Sequence, residues 1–131
     1  MNNLDAAVLN SFPPVDESML DDLLGKEIKV NNQKIVVLDD DPTGVQTVHD
    51  VSVYTDWKKE TLLEAFEQED RLFYILTNSR GMTREETTKI HNEIAAATDE
   101  AARKTGKEYF FISRSDSTLR GHYPLDRKSV V

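Results

Sequence analysis

The residues Lys34-Ile-Val-Val-Leu-Asp39 form an unbroken apolar run that ends abruptly in carboxylates. A half-buried strand alternates apolar and polar residues. A short continuous run suits a strand covered on both faces, as in a parallel sheet. Parallel neighbours require crossovers, and the chain supplies candidates. Val51-Ser-Val-Tyr54 predicts a second, short strand. Thr55 or Asp56 is placed to cap a helix running to about Phe66, with Leu62, Leu63 and Phe66 on its inner face. Arg71-Leu-Phe-Tyr-Ile-Leu76 predicts a third strand. Thr83 and Glu86 have the spacing of a capping box, and Ile90, Ile94, Ala97 and Ala101 follow at helical intervals. Arg103, Lys104 and Gly106 mark the end of that helix, with cations at its negative pole. His91, on the same helix, is expected to be exposed. Glu108-Tyr-Phe-Phe-Ile-Ser113 predicts a fourth strand. The alternation defines an α/β class: a Rossmann-like open, mainly parallel sheet with flanking helices and right-handed crossovers, incomplete at its C-terminus.

Three segments are expected. Residues 1–33 form an N-terminal arm with a short helix, Glu17 to Leu24, closed by Gly25 and bracketed by Pro13-Pro14 and Asn31-Asn32. Residues 34–125 form the α/β domain, and residues 126–131 a separate tail. With 131 residues and 38% apolar content, one modest core is what the chain can build. The absence of cysteine removes disulfides, thiolate metal sites and thiol nucleophiles. A net charge of -8 disfavours nucleic acid and anionic membrane as partners. No long apolar stretch and no basic-then-apolar leader is present, so a soluble cytoplasmic protein is expected. The charge is uneven. Residues 1–70 hold 16 acids and 5 bases, whereas residues 71–131 hold 8 acids and 11 bases. The second part can therefore accommodate a small anion, unless the imbalance is ordinary scatter of surface charge.

In open α/β sheets, ligands bind beyond the carboxyl ends of the strands. Three polar clusters fall there: Asp39-Asp-Asp-Pro-Thr-Gly44, Thr77-Asn-Ser-Arg80 and Arg114-Ser-Asp-Ser-Thr-Leu-Arg-Gly121. Adjacent carboxylates raise one another's pKa unless a cation or donor intervenes. Such acids can act as a general base, hold a sugar hydroxyl or hold a metal, and a solvated acidic turn is the plain alternative. Arginine forks suit carboxylates and phosphates, and a polar loop with Asp116 paired to a neighbouring arginine is the plain alternative there. Together the clusters suggest a small polyol with an anionic group, its hydroxyls met by acids and its anion by arginines. His49 and His122 are weaker candidates, more in keeping with structural roles, and Tyr54 and Trp57 are expected to pack. The chain has no GxGxxG and no GxxxxGK[ST], hence no nucleotide-phosphate loop.

Two resemblances follow from these motifs. Asp39-x-Asp41-x-Thr43 after a strand, with Leu76-Thr-Asn78 after another, resembles haloacid-dehalogenase-type phosphatases. That likeness implies Asp39 as nucleophile, Asp41 as acid/base and a Mg²⁺ ion. It leaves Asp116 to Gly121 unexplained, and the later lysine and acid pair of that family are not evident.

The second covers more of the chain. Asp40, Asp41, Thr43 and Gly44 match a DDxTG element, and Gln46 to Asp50 match its extended form. Ser79 and Arg80 match a Ser-Arg element, and Asp116 to Gly121 match DSTLRG, continuing into His122-Tyr-Pro124. From about Lys34 to Leu125 the sequence resembles the N-terminal, acid-sugar-binding domain of the four-carbon acid sugar kinase family. Arg114 stands where many relatives carry lysine. The resemblance implies phosphorylation, by ATP, of the terminal hydroxyl of threonate, erythronate or 3-oxo-tetronate. It implies substrate binding by Asp40, Asp41, Thr43, Gly44, Ser79, Arg80, Asp116, Ser117, Arg120 and Gly121, with Asp40 or Asp41 acting on the attacking hydroxyl. No metal ligand is assigned within the chain. ATP and Mg²⁺ are expected mainly on a C-terminal domain that this sequence lacks, so the chain alone is expected to be inactive as a kinase. A stand-alone sugar-acid-binding module is the further alternative. Asp126-Arg-Lys-Ser-Val-Val131 departs from the family and can be encoded by sequencing-adapter read-through, so it is expected to be non-native rather than a genuine variable tail. A domain ending after its fourth strand is expected to leave an exposed edge or face and to be marginally stable.

Overall fold

The computed structural model describes residues 5–116 and 121–125. The chain divides into two compact units, Met1–Asn31 and Asn32–Val131.

In the first unit, Asp5 caps a 3-10 helix, Ala6–Ser11, by accepting from the Ala7 amide. Helix α1 spans Glu17–Val30, with Asp16 as N-cap accepting from the amide of Met19 at 3.1 Å. None of its residues is buried. The expected stop at Gly25 does not occur, and the helix runs on to Val30. A single glycine inside a helix costs only about 1 kcal/mol, and good helix formers follow it here.

Among the described residues, the second unit is built on four strands: β1 (Lys34–Asp39), β2 (Ser52–Tyr54), β3 (Leu72–Leu76) and β4 (Tyr109–Arg114). Their order is β2-β3-β1-β4, and every pairing is parallel. The α/β class read from the sequence is therefore the observed one. β1 is central, as its apolar continuity required, and Asp39 stands level with Leu76 on one side and Arg114 on the other. The chain leaves β1 toward β2, then returns through β3 and crosses over β1 to reach β4. The direction of travel thus reverses at β1, and the carboxyl end of β1 is the switch point where such sheets bind ligands.

Two helices make the crossovers, α2 (Lys59–Glu67) and α3 (Arg84–Thr105). They pack together on one face of the sheet, where Val36, Leu38, Phe73 and Ile75 meet Leu62, Phe66, Ile94 and Ala97. Phe66 contacts the rings of Phe73 and Tyr109 edge-on, with centroids 6.0 and 5.9 Å away. Tyr54 and Trp57 pack against this core, as expected. Helix α2 begins later than expected, because Asp56 does not cap it directly. Its carboxylate instead accepts from the Lys58 amide and the Thr61 hydroxyl, which makes a turn ahead of the helix. Leu63 is only partly buried, and Ala65 takes its place on the inner face.

Helix α3 has the full capping box. The Glu86 amide donates to the Thr83 hydroxyl, and the Thr83 amide donates to the Glu86 carboxylate at 2.8 Å. Gly106 closes it at φ 67°, a left-handed conformation that glycine adopts without strain. His91 is buried, not exposed as expected. It shares the inward stripe of Thr87, Ile94 and Thr98, and an imidazole fits that interior as well as a surface. At the opposite end of the sheet, Lys34 is also buried, and its ammonium donates to the carbonyls of Gln68, at 2.8 Å, and Asp70. Strand β4 forms one edge, with Phe110 and Ile112 exposed. Among the described residues, no helix is long and apolar enough to cross a membrane.

Candidate functional site

The carboxyl ends of β1, β3 and β4 carry the three polar clusters, and backbone hydrogen bonds join the first two. The Thr77 amide and hydroxyl both donate to the Asp39 carbonyl, at 2.9 and 3.0 Å. The Arg80 amide donates to the Asp40 carbonyl at 3.1 Å. Asn78 makes the turn between them at φ 54°, a left-handed region that asparagine tolerates better than most residues. The third cluster is joined through Asp116, whose amide donates to Asp40 Oδ2 at 3.0 Å.

Asp40 is the junction. Arg80 forks onto it, Nε to Oδ2 at 3.1 Å and NH2 to Oδ1 at 2.7 Å, while Asp116 adds a third donor. Asp40 is 3% exposed. The Asp40 carboxylate is thus enclosed and holds three donors, which makes it the structural anchor of the rim. Arg80 in turn donates its NH1 to Asp41. Hydrogen bonding to Asp40 pushes the Arg80 guanidinium further into its charged form.

Asp41 is the accessible acid of the triplet, with 17% of its side chain exposed. The Thr43 hydroxyl and amide both donate to its Oδ1. The Thr43 hydroxyl above all, then its amide and Arg80, hold the Asp41 carboxyl below its ordinary value. Asp41 is therefore a firm hydrogen-bond acceptor and a weak proton acceptor.

Asp39 is fully buried. Arg114 donates to its Oδ1 at 3.2 Å, while among the described residues Oδ2 has no hydrogen-bond partner. Burial pushes its pKa up, against the pull of Arg114. Gly44 lies directly on this carboxylate, where any Cβ would overlap it. The phosphatase-type likeness requires Asp39 to attack a substrate, and its enclosure under Gly44 denies it that access.

Ser79 is buried and its hydroxyl pairs with Thr77 at 2.9 Å, so it ties the loop rather than facing solvent. Thr43 is exposed. Gly121 lies close against the Asp116 carbonyl. Ser117, Arg120 and the tail 126–131 lie outside the described residues. His122 Nε2 meets the Met82 carbonyl at 2.9 Å, which links the segment after β4 to the loop after β3. His49 is exposed and pairs with Asp50. Sequence reasoning did not single out Asp39 with Arg114. Their shared position at the ends of two strands was the available signal, but it becomes a pairing only once β1 and β4 are known to be neighbours.

Asp39, Asp40 and Asp41 offer oxygen atoms within 4.8 Å of one another. As a donor set for a divalent cation they fit poorly, since Arg80 and Arg114 already supply positive charge to all three carboxylates. The rim is a mixed array of carboxylates, guanidinium groups and hydroxyls at a switch point, which suits a small polar ligand.

By family, an α/β domain with this rim is a sugar-binding domain. A family model described as "Sugar-binding N-terminal domain" matches residues 35–130. The chain belongs to this family, the N-terminal domain of the four-carbon acid sugar kinases. Searches of curated proteins and of solved structures return no significant match.

Proposed function

We propose that this domain binds the acid-sugar substrate of an ATP-dependent four-carbon acid sugar kinase: threonate, erythronate or 3-oxo-tetronate. The observation that carries the reading is the junction at Asp40, where one carboxylate gathers the side chain of Arg80 and the amide of Asp116. Those two partners come from two separate family motifs. A rim so tied is preorganised, and preorganisation is what a small, heavily hydrated ligand needs to bind.

In this reading Asp41 accepts a hydrogen bond from a sugar hydroxyl and orients it, with Thr43 and Arg80 fixing the carboxylate. Asp40 acts as a positioning residue. Asp116, Ser117, Arg120 and Gly121 complete the binding surface from the third motif. ATP and Mg²⁺ belong to a separate C-terminal domain, which supplies the phosphoryl group and its charge compensation. This chain contributes the pocket and the orientation of the hydroxyl, and does not by itself turn over ATP.

Calorimetric titration of the chain with threonate and erythronate, against a neutral hexose, tests the binding. Saturable binding of a tetronate alone is the expected result, and its absence for both acids and for 3-oxo-tetronate overturns the reading. Supplying a C-terminal ATP domain separates a kinase half from a stand-alone binding module. Phosphorylated tetronate should appear only with both parts present.

A further inference from the structure

We infer that the guanidinium receiving the ligand's carboxylate is Arg114, and that Arg80 is not available for it. The inference deepens the acid-sugar reading above and rests on it. Arg80 is the obvious cation of the rim, but three of its five N–H donors, its two-pronged edge among them, are already engaged by carboxylates. Nε and NH2 fork onto Asp40, NH1 goes to Asp41, and only 21% of the side chain is exposed. One positive charge there faces two carboxylates, so an incoming anion meets no net attraction. To bind at Arg80, the anion would have to break a fork that is closed and largely buried.

Arg114 differs on each count. It is the last residue of β4 and stands level with Asp39, on the opposite side of β1 from β3 and Arg80. Its side chain is 41% exposed. Among the described residues its sole polar partner is Asp39, through one N–H at 3.2 Å. A guanidinium has five N–H donors, so a complete two-pronged edge is left for a second carboxylate. Asp39 is enclosed under Gly44 and cannot reach a ligand, yet it can hold the guanidinium in place from below. The pairing therefore orders Arg114 without consuming it. A ligand lying over the end of β1 then has Asp41 for its hydroxyls and Arg114 for its carboxylate. Four-carbon acids would be selected over the corresponding neutral polyols.

The test is titration of the full chain with threonate and with threitol, which lacks the carboxylate. The chain as it stands should bind threonate at least about tenfold more tightly than threitol, as expected for a charge-assisted hydrogen bond. Arg114→Gln should lose that preference, so that threonate and threitol bind alike. Because this variant strands the buried Asp39, the double variant Arg114→Gln/Asp39→Asn removes both charges and should lose the preference equally. Arg114→Lys should fall between, since a lysine keeps the charge and loses the fork. A double variant that still prefers threonate overturns the inference and leaves the acid-sugar reading intact. A parent chain that binds neither threonate nor any other tetronate overturns both.

Discussion

The guanidinium of Arg80 closes a two-pronged fork on the carboxylate of Asp40, residues that lie at the ends of neighbouring strands and 40 positions apart in sequence. The pair is nearly enclosed, with Asp40's side chain 4% exposed. Removing one partner of such a pair leaves an uncompensated charge, which costs far more than the pair itself contributes. Arg80→Met should therefore lower the melting temperature much more than Arg103→Met. The latter breaks only the exposed Arg103–Asp99 pair on α3. Equal melting temperatures for the two variants would contradict the enclosed geometry at Asp40.

Gly44 and Gly25 should respond in opposite senses to alanine. At Gly44 a Cβ overlaps the buried Asp39 carboxylate, whereas at Gly25, within α1, nothing lies within 4 Å. Gly44→Ala should cost about 1–3 kcal/mol through overpacking. Gly25→Ala should stabilise α1 by up to about 1 kcal/mol. Urea unfolding monitored by circular dichroism checks both, with α1 helicity followed for the second.

Lys34 should prove structural despite its charge. Its ammonium donates to the carbonyls of Gln68 and Asp70, and Lys107 donates to the Phe66 carbonyl at 2.6 Å nearby. Lys34→Met keeps the aliphatic volume and removes two charge-assisted hydrogen bonds to backbone carbonyls, a loss of about 1–3 kcal/mol. Burial, followed by the charge of Lys107, lowers the Lys34 pKa. The denaturation midpoint at neutral pH should fall, and an unchanged midpoint would show that the acceptors find other donors.

Strong acid should weaken the contact between α2 and α3. Glu100 bonds Lys59 and Lys104, which hold its pKa down to about 2 from 4.5. Its folded pKa is depressed, so its contribution is complete above the ordinary glutamate value and is lost as pH falls toward 2. The difference in melting temperature between the parent and Glu100→Gln should be clear at pH 7 and vanish near pH 2. A difference independent of pH would assign Glu100 a packing role instead.

Much of the α/β framework is readable along the chain. The apolar run from Lys34 to Asp39 predicts a central strand, and β1 has neighbours on both sides. The Thr83 and Glu86 spacing predicts a capping box, and both of its hydrogen bonds form. These signals are legible because they act over a few residues, through strand continuity and helix-end chemistry. The three polar clusters are likewise visible as clusters at strand ends. Where local chemistry is ambiguous, the reading departs from the structure. Gly25 closes helices in many settings, but here α1 continues through it. His91 carries a polar ring, yet its place on the α3 stripe buries it.

The roles within the rim lie beyond that range. Asp39, Asp40 and Asp41 are chemically identical and consecutive, so composition and spacing cannot rank them. Their differences arise from partners on other strands: Arg114 for Asp39, Arg80 and the Asp116 amide for Asp40, and Arg80 together with nearby Thr43 for Asp41. Local sequence settles which segments become strands and helices, since backbone and side-chain preferences there span only a turn or a pleat. The order β2-β3-β1-β4 decides which acid is enclosed, which faces solvent and which arginine keeps donors to spare, because burial and charge pairing depend on neighbours that only the folded sheet brings together.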